Sequence, residues 1–255
     1  MAKANEINYF KAIGEEGREF AGNKPFSAEN AGDLLIKIGF IQRFLPTPPA
    51  RLIDFGCGTG WTSWMFCKMG YSVVGQDISP DMIQCANQNK LRFSAEDLVF
   101  EVCDYENLGY QEEFECALFF DCLHHATDEY AALQSAYRSL KPGGVCVAHE
   151  PGTGHSTEEH TLNEVQKYQV TEKDMPPRKI RDLASTIGFS EIQIVPFPEE
   201  ALTSLLTAHD GKQVPSRGRG FFEKRKHRKR LGSLFGGVFS LFNRLDDSGL
   251  VILKK

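Results

Sequence analysis

The chain has 255 residues, of which 41% are hydrophobic and 25% are charged, an ordinary composition for a soluble globular protein with one large domain. No stretch approaches the roughly 18 consecutive apolar residues of a membrane span, and the N-terminal residues lack the apolar core of a signal peptide. The net charge of −5 disfavours a general nucleic-acid binder. We therefore expect a cytoplasmic protein.

The cysteines indicate reduced thiols in a packed core. There are seven of them, an odd number, and no two are spaced as CxxC. Most lie inside apolar segments, where a cysteine behaves as a small hydrophobic residue. The seven are Cys57, Cys67, Cys85, Cys103, Cys116, Cys122 and Cys146. Neither a disulfide framework nor a zinc site is expected.

The N-terminal part, residues 1–48, predicts a helical cover. Residues 1–26 hold three phenylalanines among polar residues, which indicates one or two short helices or an arm. Ser27 can cap a helix that continues to about Leu45 with apolar residues on one face. Pro46 ends it.

Short apolar runs alternate with helical patterns through residues 49–195. Strands are predicted at 51–56, 71–77, 98–104, 114–121, 145–150, 189–195 and 249–255. Helices are predicted at 60–69, from Ser79-Pro80 to about 91, at 128–140 and around 180–187, with a turn at 141–144. Near-continuous apolar strands separated by helices favour a parallel sheet covered on both faces, a doubly wound α/β fold.

The strongest motif lies where the first strand meets the first helix, Asp54-Phe55-Gly56-Cys57-Gly58-Thr59-Gly60. Glycines there permit tight backbone angles and let a ligand approach the main chain. Asp77 ends the second strand, where a carboxylate can accept both hydroxyls of a ribose. The motif therefore predicts a nucleoside site.

The alternative is a nicotinamide dinucleotide site, which has the pattern GxGxxG. Here Trp61 stands where the last glycine of that pattern would be. Asp54 would face a pyrophosphate unfavourably, but it suits a cationic ligand such as a sulfonium with an α-amino group. Spacing and charge both favour S-adenosylmethionine.

Several further segments, in the same order along the chain, extend this pattern. They are Asp77-Ile78, Cys103-Asp104-Tyr105, FECALFFDCLHHATDE (114–129) and LKPGGVCV (140–147). With the glycine segment, they resemble the class I S-adenosylmethionine-dependent methyltransferases over about residues 30–195 and the final strand. Glu115 stands where the family usually has Asp.

The resemblance implies a Rossmann-like sheet of seven strands, mostly parallel, with an antiparallel last strand inserted between the fifth and sixth. It also implies that Asp54 and the glycines hold the methionine end, Asp77 the ribose and Asp104 the adenine. The cofactor-binding residues so expected are Asp54, Gly56, Cys57, Gly58, Gly60, Asp77, Ile78, Met82, Asp104, Tyr105 and Phe120.

The acceptor is expected at the edge where the parallel strands end. Enzymes of this kind mainly hold donor and acceptor in line, and a general base helps when the acceptor is a hydroxyl. Asp121, Glu150 and His155 are the candidate catalytic residues, although the segment 150–156 could equally be only a turn. His125 is interpreted as a packed, hydrogen-bonded histidine.

A metal site is not predicted. His149, His155 and His160 could bind a metal together with Glu150 or Glu159. Their spacing, however, is not an established ligand pattern.

Residues 196–248 are predicted to be an insertion that forms part of a lid or substrate wall before the last strand, 249–255. Within it, residues 217–230 carry eight Lys and Arg and one Glu. This run has three interpretations. It is a solvated loop, or it contacts an anionic membrane surface or a phosphate-bearing substrate. The third interpretation is a contact with RNA, which is the less expected partner.

These observations predict a methyltransferase that acts on oxygen of a small-molecule or glycan-like acceptor. The family's Asn/Asp-Pro-Pro-Tyr/Phe segment, typical of methylation at amide or exocyclic amino nitrogen, is replaced by Phe120-Asp121-Cys122-Leu123. The alternatives are an RNA- or protein-directed methyltransferase and a non-catalytic protein that binds the cofactor for regulation. The sequence identifies neither the acceptor nor the oligomeric state.

Overall fold

A computed structural model describes residues 2–197 and 249–255. The described residues form a sheet of seven strands in the order β3-β2-β1-β4-β5-β7-β6. The strands are β1 Arg51–Phe55, β2 Ser72–Asp77, β3 Leu98–Val102, β4 Phe114–Phe120, β5 Leu140–His149, β6 Glu191–Val195 and β7 Leu250–Lys254.

Strand directions confirm the predicted fold class. β1 to β5 run parallel to one another, and β7 is antiparallel to both of its neighbours, β5 and β6. β6 therefore runs in the same direction as β5 and ends at the same edge of the sheet. The last strand is inserted between the fifth and sixth, as the resemblance implied.

The helices cover both faces of the sheet. They are α1 Ala2–Ala12, α2 Gly14–Gly22, α3 Ala31–Gln42, α4 Trp61–Lys68, α5 Pro80–Arg92, α6 Glu129–Ser139, α7 Glu159–Tyr168 and α8 Pro177–Ile187. Neighbouring residues of β4 show the two layers, because side chains alternate along a strand. Phe119 packs with α6 and α8, whereas Leu118 packs with α3 and α4, and both are fully buried.

Two element boundaries differ from the sequence prediction. The third helix begins at Ala31, after Asn30, rather than at Ser27, whose hydroxyl instead donates to the carbonyl oxygen of Phe20. Residues 141–144 were predicted as a turn but belong to β5, where the pairing with β4 shifts register between Phe114 and Cys116. Helix α7 had no sequence signal strong enough to predict it.

Two other helix ends, at Ser79 and Gly188, are capped. The Ser79 side chain accepts from the backbone N–H of Met82 at the start of α5. Gly188 ends α8 with a positive φ of 110°, a conformation that favours glycine. All seven cysteines are free thiols, as predicted.

No helix among residues 2–197 and 249–255 is long and apolar enough to cross a membrane. The insertion is described only at positions 196 and 197. The predicted lid and its basic run, 217–230, lie outside the described residues.

Candidate active site

The loop between β1 and α4 requires glycine at both of its ends. Gly56 and Gly60 have positive φ angles of 60° and 77°. A Cβ on Gly56 would lie 2.7 Å from the Cβ of Cys122, and one on Gly60 would lie 2.4 Å from the Phe100 ring. Both contacts are far closer than real Cβ atoms make, so any side chain there would force the loop out of its packed position.

The middle of the loop is open instead. Gly58 also has a positive φ, 53°, but a Cβ there would meet only the sulfur of Met82, at 4.0 Å. Its backbone therefore faces free space near the N-terminus of α4. The loop offers bare main chain to a ligand at this point.

Asp77 fixes this loop from the end of β2. Its Oδ2 accepts the backbone N–H of Gly58 at 2.9 Å, and its Oδ1 accepts that of Ser79 at 2.8 Å. Burial raises the pKa of Asp77, although the backbone donors oppose that shift. The carboxylate is thus held at the junction of the two cofactor-side loops.

Asp54 lies underneath the loop. It is 1% exposed, and its Oδ2 accepts the hydroxyls of Thr62 and Ser63, both at 2.6 Å. Burial raises its pKa to about 6 despite those two hydrogen bonds. Asp54 therefore supports the start of α4 rather than lining the space above it.

A cavity of about 320 Å³ opens above the loop at the carboxyl edge of the strands. Of the expected cofactor residues, it is lined by Gly56, Cys57, Gly58, Asp77, Ile78, Met82, Asp104, Tyr105 and Phe120. Asp54 and Gly60 are not among the lining residues. The fold thus gathers side chains from the ends of β1 to β4 around one space.

The N-terminal helices close over this cavity. The Lys3 ammonium pairs with Asp104 and with Glu106, at 2.7 Å from the latter. The Ser79 hydroxyl donates to the carbonyl oxygen of Ile7 at 2.9 Å, and the Thr59 hydroxyl to that of Ala21 at 2.7 Å. Helices α1 and α2 are therefore tied directly to the loops beneath them.

The other end of the cavity is lined by ionisable side chains. These are Glu6, Tyr9, Asp121, His125 and Glu172. Asp121 has a positive φ of 51°, and its Oδ1 lies 2.9 Å from Nδ1 of His149. Burial acts to raise the pKa of Asp121, but the adjacent His149 outweighs it and holds that pKa well below its usual range.

A group of six residues, which we call the histidine–glutamate cluster, extends behind this end. It consists of Glu6, His124, His125, Glu150, His155 and Glu172. Glu150 has the more buried side chain of the His124–Glu150 pair, 1% exposed against 6%. Glu150 accepts the backbone N–H groups of Cys122, Leu123 and His124 at 3.0, 2.8 and 3.2 Å.

His124 lies between two carboxylates. Its Nδ1 is 2.7 Å from Oε2 of Glu150, and its Nε2 is 3.4 Å from Oε2 of Glu172. Burial acts to lower the pKa of His124, but the two glutamates raise it to about 10. The cluster therefore stabilises a positive charge at this point.

His125 differs from its neighbour in charge. Its Nδ1 lies 2.6 Å from the carbonyl oxygen of Thr171. A carbonyl can only accept, so Nδ1 carries the hydrogen and Nε2 of the neutral ring has a free lone pair. Burial and the charge of His124 lower the pKa of His125 to about 4.

Two glutamates complete the cluster. Glu172 Oε2 is 2.7 Å from Nε2 of His155, and the neighbouring histidines hold the pKa of Glu172 well below its usual range against the effect of burial. Glu6 accepts the backbone N–H of Thr171 at 2.6 Å. Burial raises the pKa of Glu6 to about 7, and the nearby Glu172 charge contributes to the same shift.

The three candidate catalytic residues thus lie in different places. Asp121 lines the cavity, whereas Glu150 and His155 lie behind it and contact His124 and Glu172. His125 is hydrogen-bonded as predicted, whereas the position of His124 between two carboxylates was not predicted, although the pair was visible after the fourth strand. Glu6 carried no local signal at all.

The chain also resembles known proteins. Residues 53–148 match the family model described as a methyltransferase domain. The ubiquinone biosynthesis O-methyltransferase of Xanthomonas campestris pv. campestris (strain B100) is 26% identical over 142 residues, 54% of this chain and 57% of that protein. The protein of the same name from Xanthomonas oryzae pv. oryzae (strain PXO99A) is 27% identical over 143 residues, 55% of this chain and 58% of that protein. The chain thus spans little more than half the length of these relatives.

Solved structures share the fold. Phosphoethanolamine N-methyltransferase 2 of Haemonchus contortus, in complex with S-adenosyl-L-methionine, has a TM-score of 0.58 at 20% identity, covering 99% of this chain and 56% of that one. An S-adenosylmethionine-dependent methyltransferase from Mesorhizobium loti has a TM-score of 0.57 at 16% identity, covering 86% and 98%.

The family model, the strand order and the glycine loop agree. Residues 53–148 match a methyltransferase domain, and the fold is similar to that of S-adenosylmethionine-dependent methyltransferases, which supports S-adenosylmethionine as the cofactor. The cavity fits such a ligand, because the bare backbone of Gly58 faces free space beside the Asp77 carboxylate.

Proposed function

We propose that this protein transfers the methyl group of S-adenosylmethionine to an oxygen atom of a small-molecule acceptor. One observation carries the proposal: a single cavity has the glycine loop and Asp77 at one end and the ionisable residues Glu6, Asp121, His125 and Glu172 at the other. The first end suits a nucleoside, and the second suits a polar group that must lose a proton.

On the cofactor side, each group has a distinct part. When S-adenosylmethionine is bound, the backbone of Gly56 to Gly58 would hold the methionine end, Asp77 would accept from the ribose hydroxyls and Asp104 would accept from the adenine amino group. Apolar walls come from Ile78, Met82, Tyr105 and Phe120. Asp54 acts from below, because its contacts to Thr62 and Ser63 fix the first turn of α4.

On the acceptor side, the chain must orient an oxygen and remove its proton. When bound, the cofactor supplies a methyl group on a positively charged sulfur. The acceptor oxygen forms the new C–O bond as the S–C bond breaks, the bonding pair stays on sulfur, and the acceptor's proton passes to the protein. Holding the partners in line supplies most of the acceleration in such a displacement.

On the acceptor side, the histidine–glutamate cluster is a better proton acceptor than Asp121. The pKa of Asp121 is held well below its usual range, so this carboxylate is a weak base and a lasting negative charge. Within the cluster, Glu6 lines the cavity, and burial raises its pKa to about 7, so its carboxylate is the stronger base. Glu150 and His155 act as positioning residues, since both contact the cavity only through His124 or Glu172.

The acceptor class is supported by the relatives. Those from Xanthomonas are named as O-methyltransferases of ubiquinone biosynthesis, so their acceptor is an oxygen of a small molecule. A cavity of about 320 Å³ lies at the lower end of the size range of small-molecule sites.

Calorimetry with S-adenosylmethionine and its demethylated product tests the cofactor end. We expect both to bind, and Asp77→Asn to weaken binding about 10- to 100-fold by removing an acceptor from the ribose contacts. Asp81→Asn, a nearby change that lies outside the cavity lining, is the control and should bind normally. No heat with either nucleoside would exclude the proposal.

Transfer itself is tested with a labelled methyl donor and a panel of phenols, catechols, alcohols and amines. Label on a small hydroxylated acceptor is expected. Label that appears only on RNA or protein from a cell extract would contradict the acceptor class while leaving methyl transfer intact.

A further inference from the structure

The histidine–glutamate cluster brings three ligand atoms within reach of one ion. His124, His125 and Glu172 each offer one atom, and these atoms all lie within 4.8 Å of one another. We propose that this trio binds a divalent transition-metal cation, with zinc as the best fit, at the acceptor end of the cavity. The inference deepens the proposed function and rests on it for the metal's role.

Both histidines are oriented as metal ligands usually are. Nδ1 of His124 lies 2.7 Å from the Glu150 carboxylate, and Nδ1 of His125 lies 2.6 Å from the Thr171 carbonyl oxygen. A histidine that binds a metal commonly donates its other N–H to a carboxylate or a backbone carbonyl, which fixes the tautomer. Nε2 of His124 is thereby left as its coordinating atom, and His125 offers one ring nitrogen within 4.8 Å of the other two ligand atoms.

The spacing suits a tetrahedral ion. Ligand atoms that lie 2.0–2.1 Å from a tetrahedral zinc are about 3.4 Å apart. Nε2 of His124 is 3.4 Å from Oε2 of Glu172. Two imidazoles and one carboxylate are also an established catalytic zinc set, with the fourth position left for water or substrate.

The surroundings favour a cation. Three carboxylates, Glu6, Glu150 and Glu172, face the histidines in a partly buried space. Their negative charge attracts a cation. A metal on Nε2 of His124 would leave the Nδ1 contact with Glu150 in place.

The open position would face the acceptor. His125 and Glu172 both line the cavity, and Glu6 lies beside them. A hydroxyl bound to the ion there would lose its proton more readily, because a bound cation lowers the pKa of a ligated hydroxyl. His155, at 2.7 Å from Glu172 Oε2, would hold that carboxylate in place.

Metal binding is measured on the full chain, without a histidine tag, after treatment with a chelator and dialysis. Calorimetry with zinc chloride should show about one equivalent, and manganese chloride should bind more weakly. His125→Ala and Glu172→Gln should each weaken zinc binding by tenfold or more. His160→Ala, which changes an exposed histidine of α7, should leave binding unchanged.

A second measurement covers variants that lose stability. Zinc that binds the folded state raises the melting temperature, so the wild type and His160→Ala should shift upward and His125→Ala should not. Glu150→Gln should weaken zinc binding about 10- to 100-fold, the usual effect of losing such an outer partner.

The proposal is overturned if zinc does not bind, or if His125→Ala and Glu172→Gln bind it as the wild type does. In that case the cluster is a hydrogen-bonded network only. Methyl transfer by metal-free protein would then leave the proposed function standing. Loss of nucleoside binding would instead refute the proposed function whatever the metal result.

Discussion

The two ends of the cavity are built in different ways. At the cofactor end, Asp77 contacts backbone N–H groups of Gly58 and Ser79, and Gly58 presents bare main chain to the cavity. At the acceptor end, side chains meet that lie far apart in the sequence, such as Glu6 and Glu172 beside His125. The first end depends on local backbone geometry and the second on a network of charges. Changes in each should therefore have separable effects.

The largest effect is expected from Glu150→Gln. This change removes the charge that accepts three backbone N–H groups and faces His124, so we expect unfolding free energy to fall by about 3–4 kcal/mol. Denaturant unfolding measures it, with Glu158→Gln as an exposed control. Methyl transfer should also be lost while nucleoside affinity changes by less than about fivefold. An equal loss of nucleoside binding would show that the two ends are not separable.

Two glycine changes test the cofactor end. Gly60→Ala would place a methyl group 2.4 Å from the Phe100 ring, and we expect it to cost about 3 kcal/mol of stability. Gly58→Ala also places alanine at a positive φ, but its methyl group would enter free space. It should therefore lower stability by only about 1 kcal/mol while abolishing nucleoside binding. Unfolding curves and calorimetry on both variants check this. Wild-type nucleoside affinity in Gly58→Ala would contradict the interpretation that a ligand contacts the bare main chain of Gly58.

The raised pKa of Asp54 predicts a pH effect. A folded-state pKa of about 6, above the ordinary 3.8, means that the folded protein binds this proton more tightly than the unfolded chain. The resulting stability is fully present below about pH 4 and is lost as pH rises through 6, by about 2–3 kcal/mol.

Asp54→Asn removes this proton linkage. Between pH 4 and 7.5, the unfolding free energy of the variant should therefore increase relative to that of the wild type as pH rises. Identical pH profiles for the two proteins would show that Asp54 does not titrate in this range.

The smallest effect is expected from Lys3→Ala. The Lys3 side chain is 39% exposed, so its pairs with Asp104 and Glu106 should contribute less than about 1 kcal/mol to stability. Because Lys3 would no longer hold Asp104 in place, bound nucleoside should dissociate a few-fold faster. Stopped-flow displacement measures that rate, and Lys11→Ala, on the same helix, is the control.

The cofactor end could be predicted because its signals are local. Gly56, Gly58 and Gly60 occupy positions whose backbone angles or close contacts demand glycine, and each lies next to a strand that is apolar enough to identify. Asp77 stands at a strand end for the same reason. What the sequence could not show is that Asp54 faces Thr62 and Ser63 from below, since that depends on how the helix packs.

The acceptor end was only partly predicted. Asp121 lies where expected, at the cavity wall, but Glu150 and His155 serve neighbouring side chains instead. The cluster joins residues from the N-terminal helix, the segments after β4 and β5, and the segment before α8. No periodicity links Glu6 to Glu172, so only the folded chain brings them together.

Helix α1 touches both ends of the cavity within a single turn. Lys3 pairs with Asp104 and Glu106, and Glu6, three residues later, contacts the backbone of Thr171. A movement of the helix as a rigid body would disturb both contacts. If nucleoside binding moves α1, we expect a coupling between the donor and acceptor sites, and that coupling would be reciprocal. Whatever factor the nucleoside adds to acceptor affinity, the acceptor must return to the nucleoside.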